Sequence, residues 1–273
     1  MEVELTMSED FSKRYGPWAI VTGASSGIGE AFACAIAKRG VRSLLLARRR
    51  DELVRVANDV RKATGVECET HVADLADPGF IDALQERTCD LDVGLVVSNA
   101  GYNPVGGFAE RTPEELSRIL DVNCKAPLLL AHTFRPRLQA RGQGGFLLTG
   151  SVEGFFGVPH SVAYSPTKNY VLAFGEALWG EQAGTDVDVL VLAPGATDTA
   201  IIRARNMQNL PGIMQPSEVA EYGLDQLREH GQRLSPRPAL DLLRVRGERF
   251  RRRLGILDFH RQRQQQLQQL LPQ

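Results

Sequence analysis

The chain has 273 residues, 43% of them apolar and 24% charged, with a formal net charge of −1. That balance suits an ordinary folded domain and excludes a disordered or fibrous chain. It gives no global attraction to nucleic acid or anionic lipid, and no apolar run reaches the ~18 residues of a membrane span. Met1-Glu2-Val3-Glu4-Leu5 lacks the basic start and apolar stretch of a secretory signal. Cys34, Cys68, Cys89 and Cys124 have no Cys-x-x-Cys spacing. The expectation is a cytoplasmic protein with reduced thiols, no disulfide framework and no metal site.

Residues 1–16 are polar and mixed in charge, and are expected to run along the surface as an N-terminal extension. Trp18–Val21 predicts a first strand, and it runs straight into Thr22-Gly23-Ala24-Ser25-Ser26-Gly27-Ile28-Gly29. Ala31, Phe32, Ala35, Ile36 and Ala37 then recur at helical spacing, ending at Lys38-Arg39-Gly40. The alternation continues with a strand over 41–47, a helix over 51–64 closed by Gly65, and a strand over 66–72. A helix over 78–87 and a strand over 91–98 follow, leading into Asn99-Ala100-Gly101. A long helix is predicted over 113–141, with interruptions near Pro127 and Pro136. A strand over 145–150, a helix over 165–182 and a strand over 187–192 complete the pattern. Alternating helices and strands, the strands apolar on both faces, predict an α/β doubly wound parallel sheet. A single domain over 17–234 is expected, then a helical tail over 235–273, Arg-rich at 244–253 and Gln-rich at 262–273.

Strand, glycine-rich turn and helix in succession form the context in which a glycine motif reads as a phosphate cradle. The glycines admit a tight turn and a close pyrophosphate, which rests on the amides of the helix N-terminus. The second strand ends at Ala47 followed by Arg48-Arg49-Arg50. An acid there would read a free ribose hydroxyl, whereas Arg48 suits a 2′-phosphate, which argues for NADP(H) over NAD(H). Arg49 and Arg50 read as a solvated basic start to the next helix. Asp74, ending the third strand, either accepts from an adenine amino group or caps the helix beginning near Asp77. Asn99, Ala100 and Gly101 end the fourth strand, where small residues let a cofactor pass close to the backbone.

Tyr164 and Lys168 stand one helical turn apart on one face. A phenol titrates near pH ~10, and an ammonium held beside it lowers that value, so the pair reads as a general acid/base. Ser151, at the end of the fifth strand, is placed to hydrogen-bond the same substrate carbonyl. Asn123 is a polar residue on an otherwise apolar helix face, and its side chain or carbonyl is a candidate to hold a proton-relaying water through Lys168.

In order and spacing these residues resemble the short-chain dehydrogenase/reductase family, over roughly residues 17–200. The matching positions are Thr22–Gly29, Asp74, Asn99–Gly101, Asn123, Ser151, Tyr164 with Lys168, and Pro194-Gly195. The resemblance implies a Rossmann fold of about seven strands with helices on both faces. It makes Tyr164 the acid/base, Ser151 the carbonyl-orienting donor, Lys168 the group that lowers the tyrosine pKa and binds the nicotinamide ribose, and Asn123 the support of the relay. Cofactor contacts are implied for Gly23, Ser25, Ser26, Gly27, Ile28, Gly29, Arg48, Asp74, Asn99, Ala100, Gly101, Pro194, Gly195, Thr197 and Thr199. Within the family, residues 15–23 and 92–96 look like the branch of 3-oxoacyl-CoA reductases and 17β-hydroxysteroid dehydrogenases, which points to a lipophilic ketone or secondary alcohol.

The segment near 196–214 is where the family places its substrate loop. Its Ile201, Ile202, Met207, Leu210, Ile213 and Met214 serve either as a lid or as core contacts. Phe155, Phe156, Val158, His160 and Tyr102 are expected to line a pocket. Residues 244–253 read as an anion site or a solvated helix face, and Leu267, Leu270 and Leu271 as packing positions. A homodimer or homotetramer is implied through the helices over 113–141 and 165–182. The alternative function is a non-catalytic NADP(H)-binding sensor on the same fold.

Overall fold

Each residue of the first strand, β1 (Trp18–Thr22), is buried, and its side chains alternate between two cores, as strand geometry requires. Ala19 and Val21 face one cluster with Leu45, Val97 and Leu147. Trp18 and Ile20 face the other with Leu44, Val96 and Phe146. In this computed structural model, residues 10–209 and 212–230 are described. The expectations for Leu210 and for the tail over 235–273 lie outside them.

Six described strands form one parallel sheet in the order β3-β2-β1-β4-β5-β6. After β1 come β2 (Arg42–Ala47), β3 (Cys68–Val72), β4 (Val93–Ser98), β5 (Gly144–Thr149) and β6 (Val187–Leu192). The helices are α1 (Gly27–Lys38), α2 (Arg50–Thr64), α3 (Phe80–Arg87), α4 (Pro113–Leu120), α5 (Ala126–Arg141), α6 (Tyr164–Glu181), the short α7 (Ala200–Ala204) and α8 (Pro216–His230). Phe32 and Ile36 of α1, Leu53 and Val56 of α2, and Val219 and Leu224 of α8 cover one face. Leu84 of α3, Leu130 and Phe134 of α5, and Leu178 of α6 cover the other. The strand order reverses between β1 and β4, so their C-terminal ends open a crevice.

Residues 10–16 correct one expectation. Residues 10–15 are helical, and Phe11 and Tyr15 are buried in the first cluster rather than lying on the surface. The reason sits on β6, where Asp188 is a fully buried carboxylate. It accepts from the Tyr15 hydroxyl at 2.6 Å and from Arg14 at 2.5 and 2.8 Å. A buried charge needs such partners, and Gly94 makes room for them: a Cβ there would stand 2.5 Å from the Tyr15 carbonyl oxygen.

The long helix over 113–141 is broken once, by a π-helical turn over Asp121–Lys125. Pro127 has no N–H, so the carbonyl of Asn123 loses its α-helical partner. Ala126 N–H reaches back to the Asp121 carbonyl instead. Pro136 is carried inside α5 without a second break.

Candidate active site

The crevice begins where β1 runs into α1. Gly23 and Gly27 have φ of 67° and 60°, a region glycine enters without strain. A Cβ on Gly23 would lie 2.8 Å from the Ala100 Cα, so the glycine turn and the Asn99-Ala100-Gly101 segment meet backbone to backbone. Thr22 fastens them. Its Oγ1 accepts from the Asn99 and Ala100 amides at 3.0 Å each, while Asn99 Nδ2 donates to the Thr22 carbonyl at 3.1 Å. Ser26 precedes the first residue of α1, yet its hydroxyl does not cap the helix. The Ser25 and Ser26 hydroxyls accept from Arg49 Nη2 at 3.0 and 2.9 Å. Ile28 packs against the core beneath, and Gly29 sits so close that a Cβ there would collide with the Gly23 carbonyl oxygen. A Cβ on Gly27 would meet Thr199 Cγ2 at 3.1 Å, which brings Thr199 to the same rim. Free helix N-terminal amides, close-approach glycines and a guanidinium around one hollow fit the phosphates of a dinucleotide.

Arg49 is exposed, as expected, and also reaches this rim through Ser25 and Ser26. Arg48 lies farther along, its Cζ 6.0 Å from the centre of the Tyr102 ring, and Arg118 Cζ lies 5.6 Å from the same ring. Tyr102 thus stands on the Asp74 side of the crevice, not with the expected pocket-wall residues. Asp74 Oδ2 accepts from Arg118 at 2.5 Å and its Oδ1 from the Ala76 amide at 3.1 Å. Burial pushes this carboxyl up, but the Arg118 and Ala76 hydrogen bonds and the charges of Arg118 and Arg48 outweigh it, leaving the group below the ordinary range. The turn it closes precedes α3, which starts at Phe80 rather than near Asp77.

At the other end of the crevice, α6 opens on Tyr164, and Lys168 follows one turn later on the same face. Lys168 is only 3% exposed. Its Nζ donates to the Thr149 carbonyl at 2.8 Å and sits 5.6 Å from the centre of the Tyr164 ring. Gly101 lies against this group, since a Cβ there would stand 3.7 Å from Lys168 Nζ. Ser151 hydrogen-bonds the Tyr164 phenol and accepts from the Glu153 amide at 3.2 Å. The short turn after it is tied to α6 by Asn169, which donates to the Gly154 carbonyl at 2.7 Å, and by Ser165, which donates to Glu153 Oε2 at 3.3 Å.

Asn123 resolves between its two expected uses. Its Oδ1 accepts from the Tyr102 amide at 2.7 Å, and its Nδ2 donates to the Tyr102 carbonyl and the Thr167 hydroxyl at 3.0 Å each. Thr167 in turn donates to the Tyr164 carbonyl at 2.7 Å. The side chain is thus a staple between the exit of β4 and α6. The Asn123 carbonyl lacks its α-helical partner because Pro127 has no N–H.

Burial acts on both members of the Tyr164–Lys168 pair. Burial raises the Tyr164 phenol well above its ordinary value, and the nearby Glu153 carboxylate adds to the rise, against smaller lowering effects of Ser151 and Arg205. Burial also lowers the Lys168 ammonium, to about 8, partly offset by Cys124. Desolvation disfavours both charged forms at once, and the ammonium is turned toward a carbonyl.

Beyond Tyr164 lies a shallow cleft lined by Asn103, Phe108, Ile119, His160 and Val162 among others. Phe155, Phe156 and Val158 are half-buried on the adjoining turn. After β6, the Pro194 carbonyl accepts from the Val152 amide at 3.1 Å, and the Gly195 carbonyl from Thr197 Oγ1 at 3.1 Å. Met214 and Ala196 pair at 2.9 Å, closing the base of the loop. Of its apolar residues, Met214 packs on the core and Ile201 is exposed.

The family model described as short chain dehydrogenase matches residues 17–210. A 7beta-hydroxysteroid dehydrogenase of Clostridium sardiniense is 30% identical over 221 residues, 80% of this chain and 85% of that protein. The human inactive hydroxysteroid dehydrogenase-like protein 1 is 32% identical over 76% of this chain, which spans 64% of that relative's length. Very-long-chain 3-oxoacyl-CoA reductases are also among the relatives. The short-chain dehydrogenase from Sphingobium yanoikuyae, solved in complex with NADPH, superposes with a TM-score of 0.75 at 31% identity, covering 84% of this chain and 94% of that one. The chain belongs to the short-chain dehydrogenase/reductase family.

Proposed function

We propose that the chain is an NADP(H)-dependent oxidoreductase interconverting a ketone and a secondary alcohol on a lipophilic substrate. The observation that carries this is the joining of Ser151, Tyr164, Lys168 and Asn123 at the mouth of the crevice whose far end forms the phosphate rim. Bound there, the nicotinamide supplies hydride to, or takes it from, the carbinol carbon. The Ser151 hydroxyl donates to the substrate oxygen and fixes its direction. Tyr164 gives its phenolic proton to that oxygen during reduction and recovers it during oxidation. Lys168, held by the Thr149 carbonyl, presents its remaining N–H groups to the ribose, and proton return runs through it toward the Asn123 carbonyl. Arg49 and Arg48 hold the 2′-phosphate, while Thr197 and Thr199 border the nicotinamide and pyrophosphate ends.

The apolar side chains of Phe108, Ile119 and Val162 around Tyr164 support a lipophilic substrate. The apolar Leu120 and Leu128, exposed on α4 and α5, support assembly as a homodimer or homotetramer. Four unbridged cysteines suit a cytoplasmic location, and no described helix is long and apolar enough to cross a membrane. The second reading, an NADP(H)-binding sensor without turnover, draws on the relative named inactive. Loss of NADPH absorbance on mixing with lipophilic ketones tests between them: turnover favours the reductase, and binding without turnover favours the sensor.

A further inference from the structure

Arg205 follows α7 in the substrate loop and is half-buried. Its Nη2 reaches across to the Asn103 carbonyl at 3.5 Å, and Asn103 lines the cleft that Tyr164 also lines. The loop's other cation is neutralised: Arg203 is bonded twice to Asp198, at 2.8 and 2.9 Å. Among the described residues no carboxylate lies within 4.0 Å of Arg205. A guanidinium offers five donors in a planar fork suited to a carboxylate, and one long bond to a carbonyl leaves most of them available.

A carboxylate, Glu153, also acts on Tyr164 and is held by Ser165 at 3.3 Å. Arg111, the other cation at the cleft, donates to the Pro104 and Gly106 carbonyls and pairs with Glu115 at 3.7 Å. The cleft therefore has an apolar wall and one uncommitted positive charge at the loop.

We propose that Arg205 binds a carboxylate on the substrate, so that the protein acts on amphipathic oxo-acids or hydroxy-acids whose anionic end points toward the 200–209 loop. This rests on the oxidoreductase reading above and adds the class and orientation of its substrate. A single guanidinium balances one negative charge, which favours a carboxylate over a phosphate dianion. The electrostatic influence of Arg205 on the Tyr164 phenol supports a short reach between the two.

The test compares dehydrocholate and 9-oxodecanoate with their methyl esters at saturating NADPH, in the full-length protein and in Arg205→Met and Arg205→Lys. A charge-assisted hydrogen bond predicts that kcat/KM favours the acids by about tenfold or more in the wild type. Arg205→Met should erase that preference, with the acids losing kcat/KM relative to their esters mainly through KM, and Arg205→Lys should restore part of it. Equal rates for acid and ester in the wild type, or a preference that survives Arg205→Met, overturn the assignment. Absence of turnover with all four ketones overturns the oxidoreductase reading itself, and the substrate class with it.

Discussion

Lys168 donates through Nζ to the Thr149 carbonyl at 2.8 Å while standing 5.6 Å from the centre of the Tyr164 ring. The ammonium is thus anchored to the end of β5, inside the protein, with its charge desolvated. Its value falls to about 8, below the ~10.4 of an unfolded lysine.

That depression has a consequence for folding with a definite sign. Between pH ~8 and ~10.4 the unfolded chain holds a proton on Lys168 that the folded chain has released, so stability rises with pH across that window. At pH 7 the buried charge costs on the order of 3 kcal/mol. Lys168→Met should therefore be inactive yet more stable in the cofactor-free protein, and its denaturation midpoint should lose the alkaline rise. Urea unfolding at pH 7 and pH 10 measures both; a less stable variant with the rise intact would contradict the burial account.

Glu153 is a positioning residue that acts through Tyr164. Its negative charge raises the phenol, so Glu153→Gln, which keeps an acceptor for Ser165, should lower the phenol and ease its ionisation. Alcohol oxidation needs the phenolate. The pH at which the oxidation rate reaches half its alkaline plateau should move downward in this variant. A profile that stays in place would mean that Glu153 does not act on the phenol.

The Asn123 staple makes a stability prediction. Asn123→Ala leaves the half-buried Tyr102 amide unpaired and removes the donor to Thr167, at an expected cost of about 1–3 kcal/mol. Thr167→Val breaks the next link in the same chain of bonds. Because the two share a hydrogen bond, the double mutant should lose less than the sum of the singles. Strict additivity in chemical denaturation would show that the links are independent.

At the phosphate rim, Arg49→Ala should weaken NADPH by about tenfold while changing NADH by much less, as expected for one charge-assisted contact to phosphate. Arg48→Asp should shift preference in the same direction. Fluorescence titration with the two cofactors measures the ratio, and an unchanged ratio in both variants would remove the arginines from phosphate recognition.

The sheet was legible because most strands are short apolar runs bounded by turn residues, β3 with its Glu69, Thr70 and His71 being the exception, and the six described strands fall where strands were expected. The residues around Tyr164 were legible as a set because the crevice gathers strand ends, and the chain order lists those ends in turn. The N-terminal helix was not legible. Phe11 and Tyr15 are two apolar residues in a polar stretch, and the carboxylate that anchors Tyr15 lies 173 residues away. Arg49 was hidden by its neighbours, since three consecutive arginines do not reveal which one turns toward Ser25 and Ser26. The π turn left a partial trace: Pro127, four residues after Asn123, marks the carbonyl that an α-helix cannot pair. Glu153 and Arg205 gave no sequence signal, because their effect on Tyr164 depends on loops meeting in space.

The central claim is that Tyr164 transfers the proton. Replacing it by phenylalanine removes one hydroxyl and leaves the phosphate rim untouched. With Tyr164→Phe, steady-state reduction of a lipophilic ketone by NADPH should fall by about 10²–10⁴-fold, while NADPH binding measured by fluorescence titration stays within twofold of wild type. Retention of wild-type turnover in that variant would contradict the account.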